Sequence, residues 1–255
     1  MTAQCSDAGA CQVGHLSVDD TNKLQFSLSF TNGYSGKEDD VSFNSLKLNT
    51  QYEILDGSRL SLIVPYNFQS GPLGNVNGIG DLILSWSQNL FISGLNSLNA
   101  SIGIKLAAGD ENKSPELPQV YQPGLGTTDF ILTVDYQFDK ASIGLGYQIA
   151  GGRNEKDGLK LMRGDDFIAR ALYQLSFDNF NIVPQFLFIK RLSKSTILNQ
   201  NVTGENFIEV DKSDQPQLNF IGSVQYNIND NYALTAEAAV PFLQREINID
   251  GLKRA

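Results

Sequence analysis

The sequence predicts an all-β fold, an up-and-down antiparallel transmembrane β-barrel of about twelve strands. Three observations predict it. Hydropathy alternates with a period of two in segment after segment, and helical periodicity is nearly absent. The alternating segments run roughly ten to fourteen residues, well beyond the usual five or six of soluble strands. Such lengths match the roughly nine to eleven residues that a tilted strand needs to cross a bilayer. The links between segments are alternately short and long, as in a meander with tight turns at one end and free loops at the other.

Taken in order, the segments lie at 24–34, 41–54, 59–68, 80–91, 97–107, 128–138, 140–150, 165–177, 180–191, 216–228 and 231–243. Several display two faces plainly. In the fifth, Leu98, Ala100, Ile102, Ile104 and Leu106 oppose Asn99, Ser101, Gly103 and Lys105. In the sixth, Phe130, Leu132, Val134, Tyr136 and Phe138 oppose Asp129, Ile131, Thr133, Asp135 and Gln137. In the seventh, Ile143, Leu145 and Tyr147 oppose Ser142, Gly144, Gly146 and Gln148. The short links are LDGS at 55–58, ISGLN at 92–96, Asp139, Asp178-Asn179 and Asn229-Asp230. The long ones fill 108–128, 151–164 and 192–215, with intermediate links near 35–40 and 70–78. Eleven segments leave one short of an even count. The expectation is that the chain is cut before its last strand, or that the stretch after Phe242 begins a poorly patterned one. The domain reading is therefore a tail over 1–22 and a barrel over 23–255.

Composition narrows the function. Of 255 residues, 41% are hydrophobic and 18% charged, a balance that favours a packed chain over disorder. The net charge of −9 disfavours nucleic acid as a partner, because phosphate binding needs a basic surface. No apolar run approaches the roughly 18 residues of a membrane helix. One histidine and two cysteines leave little for a zinc centre or a nucleophilic triad, so neither a metal, a cofactor nor catalysis is expected. The cysteines, Cys5 and Cys11, are a candidate disulfide in an oxidising compartment. Cys5 also invites a lipidation reading, which the lack of a preceding apolar stretch opposes. The opening MTAQC has no signal-peptide pattern, and the expectation is a removed one.

The faces decide between a membrane barrel and a soluble β-fold. Small uncharged residues dominate the polar face, unlike the Lys/Glu-rich surface of soluble sheets. Aromatic residues such as Tyr52, Tyr66, Phe68, Phe91, Phe138 and Phe177 cluster near segment ends, as in interfacial girdles. The apolar face is therefore expected to meet lipid and the polar face a lumen. Eight charged residues fall on the inward face: Lys47, Glu53, Asp81, Lys105, Asp129, Asp135, Arg170 and Glu237. Two readings stand side by side. The charges line a permeation path, or they fill a packed lumen, with Arg170 paired to an aspartate. Twelve strands lie between packed eight-strand barrels and open porins, so the pore is expected to be narrow or plugged.

Two glycine-punctuated turns each precede an inward aspartate: Gly78-Ile79-Gly80-Asp81 and Pro123-Gly124-Leu125-Gly126-Thr127-Thr128-Asp129. Neither is followed by a helix, so neither is a phosphate loop. With the stretches GIGDLILSWSQNL, ASIGIKLAAGD and PGLGTTDFILTVDYQF, the chain resembles the outer-membrane family named for the meta-pathway of phenol degradation. That family is grouped with fatty-acid-transporter-like barrels. The tail CSDAGACQVG is similar to mature N-termini of barrels from Bacteroidetes. The resemblance implies a channel or passive transporter in a Gram-negative outer membrane, with small hydrophobic or aromatic solutes as its cargo. It carries over Asp81 and Asp129 as luminal or turn-closing residues. The chain is much shorter than fatty-acid transporters proper, and its first twenty residues hold no plug domain. The implied partners are outer-membrane lipid, lipopolysaccharide and a small solute, with the N-terminus periplasmic. A non-conducting structural barrel and a soluble barrel around an apolar ligand are the alternatives. Asp39-Asp40 and Asp165-Asp166 are expected to be loop carboxylates, solvated or weakly calcium-binding, and Lys190-Arg191 a rim position.

Overall fold

A computed structural model describes residues 13, 23–35 and 39–249. Cys5, Cys11 and His15 lie outside the described residues, as does any disulfide between the first two. Among the described residues there are fifteen strands: β1 (Leu24–Tyr34), β2 (Ser42–Leu55), β3 (Ser58–Gly71), β4 (Gly74–Ile79), β5 (Leu82–Ser93), β6 (Asn96–Leu106), β7 (Asp129–Phe138) and β8 (Ala141–Ile149). They continue with β9 (Asp166–Tyr173), β10 (Leu175–Phe177), β11 (Phe180–Arg191), β12 (Thr196–Leu198), β13 (Phe207–Glu209), β14 (Pro216–Asn229) and β15 (Tyr232–Leu243).

Eleven of these follow one another in a single antiparallel meander, β1-β2-β3-β5-β6-β7-β8-β9-β11-β14-β15. The eleven sequence segments are these eleven strands, with ends shifted by a few residues. Two features were not revealed by the alternation. The intermediate link read near 70–78 is largely strand: β3 runs on to Gly71 and β4 pairs back on it, so the fourth segment, read from Gly80, starts just past β4, and β5 begins at Leu82. The eighth divides at Gln174 into β9 and β10, both paired to β11. The long 192–215 link carries a small hairpin of its own, β12–β13.

Tight turns explain the meander's lower end. Asp139 and Asp178 take positive φ, which a short polar side chain tolerates, and Gly57 and Gly94 do so freely. The register fixes which residues share a face, because a slip of one would invert every side chain. Along β7 the outward row is about half exposed (Phe130 54%, Leu132 49%, Val134 48%, Tyr136 42%), whereas inward Asp129 and Ile131 are at 0%. The same inversion of polarity recurs around the sheet: large apolar side chains outside, buried small polar and charged ones inside.

The sheet is rolled. Ile63 on β3, Ile83 on β5, Ile131 on β7, Ile168 on β9, and Leu187 and Ile189 on β11 form one buried cluster, with Ile221 of β14 packed against it. Lys47 of β2 attracts Glu237 of β15 electrostatically, so the two ends of the meander approach each other. Among the described residues β1 and β15 remain the sheet's edges and do not pair with each other. With eleven alternating strands they run in the same direction. Both are exposed on both faces for most of their length.

Candidate functional site

The rolled sheet places all eight sequence-selected charges on the inner wall. Cross-strand register aligns them. Lys105 lies opposite Asp129, and Asp135 and Arg170 both lie opposite Gly144, from its two sides. Gly144 is needed there. A Cβ at that position would fall 2.0 Å from Asp135 Oδ1 and 2.6 Å from Arg170 Nε.

The first buried group lies toward the tight turns. Arg170 donates from Nε to Asp135 Oδ1 at 2.7 Å and from Nη1 to the Val13 carbonyl at 2.9 Å. Val13 itself is buried among the luminal isoleucines and fits over Gly103, where a Cβ would stand 3.2 Å from its Cγ2. At least this one residue of the tail therefore occupies the lumen.

Higher up, Asp129 is a hub. Its carboxylate pairs with Lys105 Nζ at 2.9 Å and with Arg163, and accepts from Gln148 Nε2 at 2.6 Å and the Gly151 amide at 3.0 Å. Thr127 Oγ1 donates to it as well, at 3.2 Å. Asp81 joins this group, its Oδ2 lying 3.9 Å from Lys105 Nζ. It also accepts the amides of Gly109 at 3.2 Å and Leu125 at 3.0 Å. The two glycine motifs thus meet: one supplies the carboxylate, the other the backbone that it fastens. Gly124 packs directly on Gly109, with room for no side chain.

Those bonds hold the 107–128 loop at the upper mouth. Asn67 and Gln69 of β3 donate to the carbonyls of Pro123 (2.7 Å) and Gln122 (3.2 Å). Tyr121 and Val120 pack with Val41 and Val76 in a second buried cluster. Asn154, from the next long loop, bridges Gln119 and Leu125.

A third buried group was missed in the sequence. Asp166, read as half of a loop carboxylate pair, is the first residue of β9 and faces inward. It receives Arg191 in a two-pronged pair, at 3.1 and 3.0 Å, with Arg245 at 3.6 Å. Arg191 is therefore no rim residue, because the β9–β11 register sets it opposite Asp166 and points it inside. Asp165 is a staple rather than a freely solvated loop carboxylate, accepting Tyr147 Oη at 2.8 Å and the Ala150 amide at 2.9 Å. Arg163 and Arg245 come from loops, where no alternation marks an inward face.

Of the eight candidates, Lys105, Asp129, Asp135 and Arg170 are buried and ion-paired, and Asp81 is half-buried. Lys47 and Glu53 are half-buried, and Glu237 is exposed. Glu53 accepts the Gly57 amide in the turn that follows it. A charge taken from water is tolerable here because each buried carboxylate keeps a cation and further donors.

No family model matches the chain. No curated protein matches it either. Among solved structures it is similar to an outer-membrane channel from Pseudomonas putida F1, with a TM-score of 0.60 and 13% identity. The match covers 89% of this chain and 92% of that one. At that identity the likeness is one of fold.

Proposed function

We propose that this chain is an outer-membrane channel or passive transporter for small solutes. The observation that supports it is the inverted polarity of the sheet. A soluble barrel would not hold a continuous belt of half-exposed Phe, Leu, Ile and Val around a core of Asp, Arg and Lys. In a bilayer the same belt meets hydrocarbon and the paired charges stay inside. The similarity to a solved outer-membrane channel supports the same reading. In this reading the tight turns and the N-terminus face the periplasm and the long loops face outward, toward lipopolysaccharide. The resemblance in the glycine motifs points to hydrophobic or aromatic cargo.

The test is reconstitution in a planar bilayer. Discrete conductance steps are the expected result, and a silent barrel that inserts normally overturns the channel reading. A second reading, a non-conducting structural barrel, has its own support in the sealed Asp129 and Asp135 groups. It predicts a membrane-inserted chain with no steps. Extraction without detergent as a monodisperse species overturns both.

A further inference from the structure

The inward face of the meander is mostly small and polar, and one set of residues breaks that rule. Ile63, Ile83, Ile131, Ile168, Leu187 and Ile189 point inward and are buried. They lie between the third and the ninth of the eleven meander strands, so they form an apolar collar around more than half of the inner wall. Val13, 1% exposed, belongs to the same cluster. It is not part of the wall. The wall begins ahead of β1 at Lys23, whose carbonyl accepts the Glu53 amide.

The seat of Val13 reads both its side chain and its backbone. The isopropyl group packs in the collar and stands over Gly103, where a Cβ would come within 3.2 Å of Cγ2. The carbonyl accepts Arg170 Nη1 at 2.9 Å, while Arg170 Nε is held by Asp135 Oδ1 at 2.7 Å. Asp135 thus aims the guanidinium at the tail. Just below, Ser101 and Thr133, the next inward positions after Gly103 and Ile131, are buried as well, at 3% and 4%. Between Met1 and Val13 no side chain is a large aliphatic one, so Val13 is the first residue of the tail that such a collar can hold.

We infer that this seat is a docking site for the chain's own N-terminal tail, and that Val13, seated there, closes the lumen to water at the level of the collar. The wall supplies the collar and Arg170, and the tail supplies the stopper. The contact is small beside the strand ladders, so it can break while the wall stays intact. The inference rests on the channel reading for its effect on current, but not for the docking or for the exclusion of water.

Two measurements in phospholipid vesicles test it in the full chain carrying Cys5→Ser and Cys11→Ser. Val13→Cys with Gly103→Cys, oxidised by copper phenanthroline, should form an intramolecular disulfide. Its yield should be at least about ten-fold that of Val13→Cys with Gly222→Cys, because Gly222 lies on the outward row beside inward Ile221. Equal yields overturn the seat. A charged, water-soluble maleimide should label Ser101→Cys slowly, and at least about ten-fold faster once Val13→Lys is added, since a lysine does not stay among isoleucines beside Arg170. Val13→Ile should keep the slow rate. Labelling that Val13→Lys leaves unchanged overturns the closure whether or not the barrel conducts, and equal acceleration by Val13→Ile overturns recognition of the side chain. In planar bilayers Val13→Lys should raise the mean current, and the Val13→Cys/Gly103→Cys disulfide should lower it until dithiothreitol restores it. Currents that are equal in all three states overturn the closure of the path. A barrel silent in every variant, with the cross-link and the labelling shift present, keeps the docking and removes the channel reading.

Discussion

An arginine at Val134 is the sharpest probe of which side faces lipid. Strand β7 has 10 residues, each rising about 3.4 Å. The strand is therefore about 34 Å long, and at a tilt of about 45° it spans about 24 Å of depth. That equals the apolar band of about 25 Å in outer-membrane barrels. Val134 lies near the middle of it. Ala141 of β8 lies at its edge, opposite Phe138 and beside the turn. In lipid, arginine costs about 2–4 kcal/mol at the midplane and about 0–1 kcal/mol near an interface. In water both positions are surface sites, where a substitution changes stability by no more than about 0.5 kcal/mol. Val134→Arg should therefore be less stable than Ala141→Arg by about 1–4 kcal/mol. The assay is guanidinium unfolding in phospholipid vesicles, followed by fluorescence of Trp86, the chain's one tryptophan. Because Trp86 is on the outward row of β5, its emission also reports the lipid contact directly. Equal midpoints for the two variants, both near the parent's, would refute the assignment of the apolar face to hydrocarbon.

Three further outcomes follow from the lumen and loops. Asp135→Ala leaves the Arg170 guanidinium buried without its carboxylate and should cost about 3–5 kcal/mol in the same unfolding assay, with Asp135→Asn/Arg170→Met recovering part of it. Gly124→Ala drives a methyl into the Gly109 backbone and should detach the 107–128 loop, seen as new protease cleavage within it while the strands stay intact. The loop pairs Lys160–Glu205, Lys194–Asp211 and Lys212–Glu246 hold their carboxyls below the ordinary values of 4.5, 3.8 and 4.5, through the lysine hydrogen bond first. A depressed folded value stabilises above the unfolded one and is lost as pH falls through it. Loop proteolysis should accordingly stay constant at neutral pH and rise only below about pH 4, screened further by salt.

The meander was readable because outward residues are mainly apolar and inward ones, the isoleucine cluster and Leu187 apart, mainly small or polar, so a period of two survives even where Gly144 and Gly146 replace larger groups. The exceptions are physical. β4 reads as part of a link because its Gly74, Asn75, Asn77 and Gly78 give it no apolar row, although it pairs with the end of β3. The β12–β13 hairpin has three residues per strand, too few to show a period. That Arg170 would meet an aspartate followed from its inward position. That the partner is Asp135 depends on a register across Gly144, which needs three strands aligned at once. Arg163 and Arg245 reach the lumen from loops, where position in the chain says nothing of direction. Val13 could not be foreseen: it enters the lumen as an isolated apolar residue on a polar tail.

The parallel sense of β1 and β15 constrains what can complete the wall. In hydrocarbon an edge strand leaves a row of amides and carbonyls without water, each costing several kcal/mol. A segment that satisfies both rows in antiparallel fashion must run opposite to each of them. It must present small hydrophilic side chains beside Ser27, Ser29 and Thr235, and bulky greasy ones beside Phe26, Leu28 and Leu234. The two margins therefore specify, like a mould, the direction and the alternation of the piece that fits between them.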